Sequence, residues 1–543
     1  MSVTPSQMRS PRWYNYWGWG SGDMLGAGAQ AVITGWLFYF FTTFCDLTPV
    51  EAGLILGLPR LLEAITCPLI GYVSDNLRHT WIGRRIGRRK IFLLITIPLL
   101  PSFALIFVSG QTFTYYLTIF IFFELLYTMF LIPWETLAAE MTKDYKEKAK
   151  FAGARMLVAQ SSAILASYLP TLIIDRFGGQ DSAQTFLIMA TIFGLLFSLV
   201  VLIVVIFTWE RPYTEAEKSV VAKPLDWGAA LMVPVRMFRD LSSTLRIRAF
   251  RQHLSIYLGG YISQDIFNTA FPIFVATVMA GATVMISQMM TAMYVAQLVS
   301  VMIAIHLVIR IGPVVAYRSA AAFFTVALLL LLVFYWVRPE MMSQDLFEVL
   351  NPASSTFDLG AVFWLLTPVI LAGLGRGTLN FVPWSVYNYL PDIDEAVTGQ
   401  RREGIFAGVM TLVRKLAQSG AIILTGWIIE TGGYVSPVAG AGIVQTPGAV
   451  ATVAALLVVG PITVMALGAI LSWSFRLDAA SHQVLMNEIE RLRAGEVSPS
   501  SPQAQAVVED LTGWPYAKLW GRNPLVSETP SPSQPKGPGG PQT

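Results

Sequence analysis

Apolar runs recur along the chain between short polar stretches, and each is long enough to cross a hydrocarbon core of about 30 Å as a helix of about 20 residues. Their approximate spans are 21–45, 49–74, 90–109, 113–141, 153–175, 184–208, 251–280, 286–309, 314–337, 358–390, 403–431 and 448–475. Backbone groups in lipid must pair within their own segment, and the weaker alternation of barrel strands is not seen. The pattern therefore predicts about twelve transmembrane helices and an all-α fold class.

Composition agrees. The chain is 54% hydrophobic and only 13% charged, far from the roughly quarter-charged make-up of a soluble domain. The net charge of +3 decides little; its placement decides more. Arg78, Arg84, Arg85, Arg88, Arg89 and Lys90 crowd the loop 75–90, and Lys143, Lys146, Lys148 and Lys150 the loop 142–152. Arg236, Arg239, Arg246, Arg248 and Arg251, then Arg310 and Arg318, then Arg401 and Arg402, fall on the same side. The alternate loops hold acids such as Asp46, Glu51, Glu340, Asp345 and Glu348. The positive-inside rule then predicts two cytoplasmic termini in a bacterial inner membrane. Ser10 to Trp19, polar and aromatic, lack a cleavable signal pattern, so the first helix is expected to stay. Cys45 and Cys67 have no metal-type spacing, and neither a disulfide framework, a metal site nor a cofactor is expected. Nothing points to nucleic acid.

The charged stretch 209–250 divides the helices into an N-terminal bundle, 1–208, and a C-terminal bundle, 251–475. Within it, Asp226 to Arg251 reads either as a basic amphipathic surface helix or as an untethered linker. The tail, 476–543, opens with an amphipathic piece, Ala479 to Arg493, and passes through an aromatic segment at Trp514–Trp520 that either docks or hangs loosely. Its Pro/Gly/Ser/Gln end from Pro530 is expected to be disordered. An internal repeat supports the division. Ile132-Pro133-Trp134, Phe151-Ala152-Gly153 and Gln160-Ser161-Ser162-Ala163-Ile164 recur as Val382-Pro383-Trp384, Phe406-Ala407-Gly408 and Gln418-Ser419-Gly420-Ala421-Ile422. Both copies fall at helices four and five of their halves, as in transporters built from parallel six-helix repeats that rock about a midplane site.

Ionisable side chains at membrane depth are costly and are the default functional candidates. Here they are Asp23, Glu63, Glu124, Glu135 and Arg155 in the first half, and Asp265, Arg376, Arg414 and Lys415 in the second. No nucleophile and base pair accompanies them, so an enzyme is not expected.

Several segments resemble the glycoside-pentoside-hexuronide cation symporters of the major facilitator superfamily. Gly20-Ser21-Gly22-Asp23 is similar to the family's helix-one motif. Arg60-Leu61-Leu62-Glu63, continuing to Cys67-Pro68 and Gly71, is similar to its helix-two cation motif. Asp75 with Gly83-Arg84-Arg85 resembles the loop-two signature, and Pro391 through Gly404 to Lys415 the approach to helix eleven. His482 to Arg491 is similar to family tails.

The resemblance implies a twelve-helix, two-bundle symporter working by alternating access. It places Glu63 at the first cation-binding carboxylate, with Thr128 beside it, and puts Cys67 and Leu131 where two further acids belong. One carboxylate suits a proton better than sodium, which wants several hard oxygens; Glu135, a turn beyond Leu131, is a replacement ligand that would admit sodium near Glu63. The solute would be held by Asp23, Tyr127, Arg155, Thr411 and Lys415, a carboxylate and a guanidinium fork suiting adjacent hydroxyls. The family's stacking tryptophan aligns with Glu135, leaving Trp134, Trp384 and Tyr387 as candidate platforms. Asp75, Arg84 and Arg85, with Arg88 and Arg89, are expected at a cytoplasmic gate. The expected partners are a sugar-like or amphiphilic small molecule and membrane lipid, with the protein a monomer. Two other readings keep the fold: cation-coupled transport of a lysolipid or other amphiphile, and a sensor or scaffold that no longer transports.

Overall fold

The computed structural model describes residues 10–77, 80–142, 144–177, 182–210, 243–279, 283–337, 359–387, 389–399, 403–436 and 445–522, with a few isolated positions between 228 and 235. The stretch 226–242 of the expected linker helix lies mostly outside these residues, as does the tail's end from Pro530.

The first half is built from α1 (Trp13–Phe44), α2 (Pro49–Asn76), α3 (Lys90–Phe107), α4 (Phe113–Met141), α5 (Tyr145–Phe177) and α6 (Ala183–Phe207). The second is built from α7 (Arg248–Thr277), α8 (Thr283–Ile311), α9 (Pro313–Val337), α10 (Leu359–Tyr387), α11 (Glu403–Thr431) and α12 (Pro447–Leu471). Among the described residues, ten helices are long and apolar enough to cross a membrane, so the chain is multi-pass. Long and more polar, α5 covers the run expected at 153–175 and α7 overlaps that expected at 251–280, with 33 and 30 residues.

Local chemistry sets the helix starts. Thr48 accepts the Glu51 backbone N–H at 3.2 Å while the Glu51 carboxylate takes the Thr48 N–H at 2.9 Å, and Pro49 occupies the first turn of α2; this reciprocal cap satisfies donors that a helix start leaves open. Thr112 and Thr446 cap α4 and α12 by the threonine hydroxyl alone, accepting the Tyr115 and Ala449 backbone N–H groups. A π-helical turn at Ile33–Leu37 interrupts α1. The connection before α11 is not the plain loop expected from its sequence. It contains a helix, Leu390–Thr398, that ends on Gly399 at φ 70°, a left-handed conformation suited to glycine.

Alternating helix directions put the start of α1, the end of α12 and the Arg/Lys-rich connections on one face, called here the terminal face. The halves meet closely at the other face. There the Val50 N–H donates to Glu430 at 2.8 Å and Ser436 Oγ to the Leu47 carbonyl at 2.8 Å. Glycines permit the contact between α2 and α11: a Cβ on Gly57 would lie 2.5 Å from Ile423 Cγ1. Ser167 of α5 and Thr291 of α8 make the second seam, their hydroxyls 3.0 Å apart. At the terminal face Arg88 and Arg89 pair with Glu140, and Arg493 with Glu395, each within one half.

The tail folds back onto the second half. Two helices, α13 (Ala479–Arg493) and α14 (Pro502–Thr512), bury Leu485, Ile489, Leu492, Val508 and Leu511 against each other and the bundle. His482 Nε2 meets Asp392 at 2.9 Å, Arg493 pairs with Glu395, and the backbone N–H groups of Trp520 and Gly521 donate to Ala396 and Val397 at 2.9 Å each. The aromatic segment is therefore docked.

Candidate functional site

Four charged groupings lie within the long helices. The first begins on α2, where three-residue spacing puts Arg60 and Glu63 on one face. Arg60 Nη1 lies 3.2 Å from Glu63 Oε2 and 3.1 Å from Glu124 Oε2 on α4, while its Nη2 donates to Gln30 of α1 at 2.6 Å. Lys415 of α11 donates to the same Glu63 oxygen at 2.6 Å. Arg60, Glu63 and Glu124 are all buried. Two carboxylates thus share two cations, one of which comes from the other half of the chain.

This grouping adds an acid to the expected candidates. Glu124, without a role in the motif comparison, provides the second acid. It precedes Leu131 by seven residues, two helical turns on the same face of α4, and this register was the available signal. Glu135 does not join Glu63; its Oε1 is 2.7 Å from Arg155 Nη2. Thr128 Oγ1 donates to the Glu124 carbonyl at 2.8 Å, the back-bond of a helical threonine. Cys67 Sγ stands 4.0 Å from Glu63 Oε1.

The second grouping joins α1, α4 and α5. Arg155 Nε lies 3.1 Å from Asp23 Oδ2, and the guanidinium stacks 4.7 Å over the Trp134 ring. Trp134 is committed to packing. Its Nε1 donates to the Trp19 carbonyl at 2.8 Å, Trp19 Nε1 returns the bond at 2.9 Å, and the rings stack at 5.2 Å. Gly22 sits so close to Trp134 that any Cβ there would collide with the indole, which explains the glycine before Asp23. Arg155 and Glu135 keep 33% and 39% of their side chains exposed. Tyr127 is buried and donates to the Gly26 carbonyl at 3.1 Å, a packing role rather than a place in this grouping.

In the second half Arg414 forks onto Asp265, with Nη1 to Oδ2 at 2.7 Å and Nη2 to Oδ1 at 3.0 Å. Gln418 adds a bond to Asp265 at 3.3 Å, and Arg414 lies 5.0 Å over Tyr261. The half-exposed Trp384 donates to Tyr261 Oη at 2.8 Å and stands edge-on to Tyr387 at 5.9 Å. Thr411 is exposed on α11, one turn before Lys415. The fourth grouping is Arg376 of α10 with Asn268 and Gln297.

At the terminal face Asp75 pairs with Arg89 at 3.7 Å and Arg88 at 4.0 Å. Glu140 pairs with Arg88 and, at 3.0 Å, with Arg89. Glu210 accepts the backbone N–H groups of Arg88, Arg89 and Lys90 at 3.0, 3.0 and 2.8 Å. The expected Arg84 and Arg85 both sit on the short helix Trp81–Ile86, where Arg85 lies 5.4 Å over Trp81.

Comparison with known proteins places this arrangement. The model of the MFS/sugar transport protein family matches residues 18–479. A protein named as an uncharacterized symporter of Synechocystis sp. is 23% identical over 486 residues, covering 78% of this chain and 86% of the relative. The glucuronide carrier protein homolog of Escherichia coli is 22% identical over 519 residues, covering 92% and 98%. A solved bacterial homolog of the lysosomal transporter Spinster, inward-facing and unoccupied, shares the fold with a TM-score of 0.55 at 13% identity, covering 88% of this chain and 100% of that one.

Proposed function

This chain belongs to the MFS/sugar transport protein family, and from that premise we propose that it is a cation-coupled symporter of a glycoside-like solute, with the proton as coupling ion. The observation that carries the coupling is the bond from Lys415 to Glu63 across the two halves, at 2.6 Å. In this state Lys415 and Arg60 together balance Glu63 and Glu124. When the halves rock and α11 withdraws from α2, Arg60 alone faces two buried carboxylates. An uncompensated buried charge is expensive, and a proton taken up by the pair removes it. Ion uptake is then tied to the change of state, as differential binding requires.

The Arg/Lys-rich terminal face is assigned to the cytoplasm of a bacterial inner membrane. With the opposite face sealed by α2 against α11 and α5 against α8, this is an inward-facing state. The solute is taken between Asp23, Arg155 and Glu135 on one side and Trp384 of α10 with Thr411 of α11 on the other; Arg155 spanning two acids supports hydroxyl recognition there. Asp75, Arg88, Arg89, Glu140 and Glu210 hold the cytoplasmic ends of the first half as one unit. The protein works as a monomer and moves its solute unchanged.

Alkalinisation of the medium around right-side-out vesicles, followed while glycosides are added with and without sodium, tests this. Sodium-independent alkalinisation on adding one glycoside supports proton symport. Uptake that needs sodium and moves no proton rejects it.

A further inference from the structure

The two acids of the coupling pair differ in their surroundings. Glu63 Oε2 accepts from Arg60 Nη1 at 3.2 Å and from Lys415 at 2.6 Å. Glu124 Oε2 has Arg60 Nη1 alone, at 3.1 Å, and that nitrogen is the one Glu63 already uses. The other end of the guanidinium, Nη2, is taken by Gln30 at 2.6 Å. Glu124 Oε1 has no hydrogen-bond partner among the described residues, although the residue is only 3% exposed. A buried carboxylate oxygen without a donor is costly while the group is charged, and a proton bound there removes that cost.

Glu124 also lines a cavity of about 130 Å³ between α2 and α4, together with Glu63 and Thr66. That volume is several times what one water needs, and the two carboxyls with the Thr66 hydroxyl offer the polar partners a water requires. Leu62 and Leu125 complete the wall and are 43% and 41% exposed. With Ile65 and Phe122, also exposed, they mark the outer faces of α2 and α4 as lipid-facing. The cavity thus lies between the buried acids and the lipid-facing surface. The charged and titratable groups facing Glu124 are Arg60, Glu63 and Cys67 of α2, Lys415 of α11 and Tyr127 of α4 itself. From α1 comes the neutral Gln30 on Arg60, and from α3 the apolar Phe103 on Phe123. Glu135, with Arg155 of α5, lies about three turns further along α4.

We propose that Glu124 carries the transported proton, on the oxygen that has no donor, while Glu63 stays ionised as the partner of Arg60. This rests on the proton-symport reading above. With Lys415 in place, two cations balance two ionised acids, and Glu124 has given up its proton. When α11 takes Lys415 away, Glu63 keeps Arg60, which stands three residues before it on the same helix. Glu124, on another helix and with one oxygen bare, is the acid left to be neutralised. The proton adds to that oxygen from water in the cavity, and no other bond to the carboxyl forms or breaks.

Dicyclohexylcarbodiimide, an apolar reagent that reaches protonated carboxyls from lipid, tests the assignment in the full-length protein reconstituted in bilayers. The carboxyl O–H adds across one C=N bond, and the adduct rearranges to a stable N-acylurea that peptide mass spectrometry locates. The wild type is expected to carry the adduct on Glu124, with a yield that falls at least fivefold from acid to alkaline pH. K415Q should move the half-labelling pH up by about one unit or more, because Arg60 then faces both acids alone. E124Q should lose the adduct and exchange glycoside in counterflow without concentrating it. E124D should restore accumulation with a displaced pH profile, which a packing role would not give. Should E124Q fail to fold, the wild type and K415Q decide by the position of the adduct and its pH dependence. An adduct on Glu63 in place of Glu124, a yield on Glu124 that ignores pH or K415Q, no adduct on either acid, or accumulation by E124Q at the wild-type level overturns the inference, and sodium-independent alkalinisation then leaves proton symport standing. Uptake that needs sodium and moves no proton overturns that reading and the inference with it.

Discussion

Lys415 and Glu63 sit on helices of opposite halves, yet the lysine donates to the glutamate at 2.6 Å in the middle of the molecule. Removing the lysine leaves Glu63 and Glu124 with Arg60 only. K415Q is therefore expected to destabilise this state by a few kcal/mol, on the order of the cost of breaking a buried pair. Adding E63Q to it removes the stranded charge. Thermal unfolding in detergent should show K415Q melting below the wild type and K415Q/E63Q recovering most of the loss; equal melting of the two variants would argue against a shared charge balance.

Arg155 serves two acids with one planar group, Asp23 at 3.1 Å and Glu135 at 2.7 Å. An ammonium has no such fork. R155K should raise the half-saturating glycoside concentration in counterflow about tenfold, the equivalent of about 1.4 kcal/mol, with the protein still folded by size-exclusion chromatography. An unchanged concentration dependence would remove Arg155 from the solute site.

The seam at the opposite face depends on glycine. Gly57 already brings its helix within 2.5 Å of Ile423 Cγ1, measured from where a Cβ would stand. G57L should therefore prop α2 away from α11 and favour the state open at that face. An impermeant maleimide added outside should label a cysteine introduced at Gln160 faster in G57L than in the parent. No change in labelling would mean that the seam is not the closing contact.

The docked tail carries its own pH response. Burial alone would raise the Glu488 pKa, but bonds from the Ser500 hydroxyl and from Tyr516 Oη, at 2.7 Å, outweigh it and hold the carboxyl below its usual 4.5. A lowered folded pKa stabilises docking at pH values above the ordinary one and loses that contribution as the pH falls through the folded value. Amide exchange over α13 and α14 should thus be faster in E488Q than in the wild type at pH 7, and the two should converge below the glutamate range. A difference that persists in acid would assign the effect to packing instead.

Much of this was legible in the chain. Helix positions follow from apolar length, since lipid permits few alternatives, and the motif around Asp23 and Arg155 brought together two residues 132 positions apart. What hydropathy does not carry is which way a polar residue turns on a helix buried all round. The chain therefore does not show that Arg60 bridges Glu124 to Glu63, nor does the helical register of Glu135 reveal its pairing with Arg155. The pairing of Asp75 with Arg88 and Arg89 depends on a loop turning at Gly87, at φ 111°, with Glu210 arriving from the end of α6. Such contacts come from elements far apart in sequence and leave no periodic signal.

The most direct test of coupling is solute accumulation by proteoliposomes under an imposed pH gradient, using E63Q and a labelled glycoside that the wild type takes up. The account predicts that E63Q exchanges the glycoside in counterflow at near wild-type rate but no longer concentrates it. Accumulation by E63Q against the gradient, at the wild-type level, would contradict it.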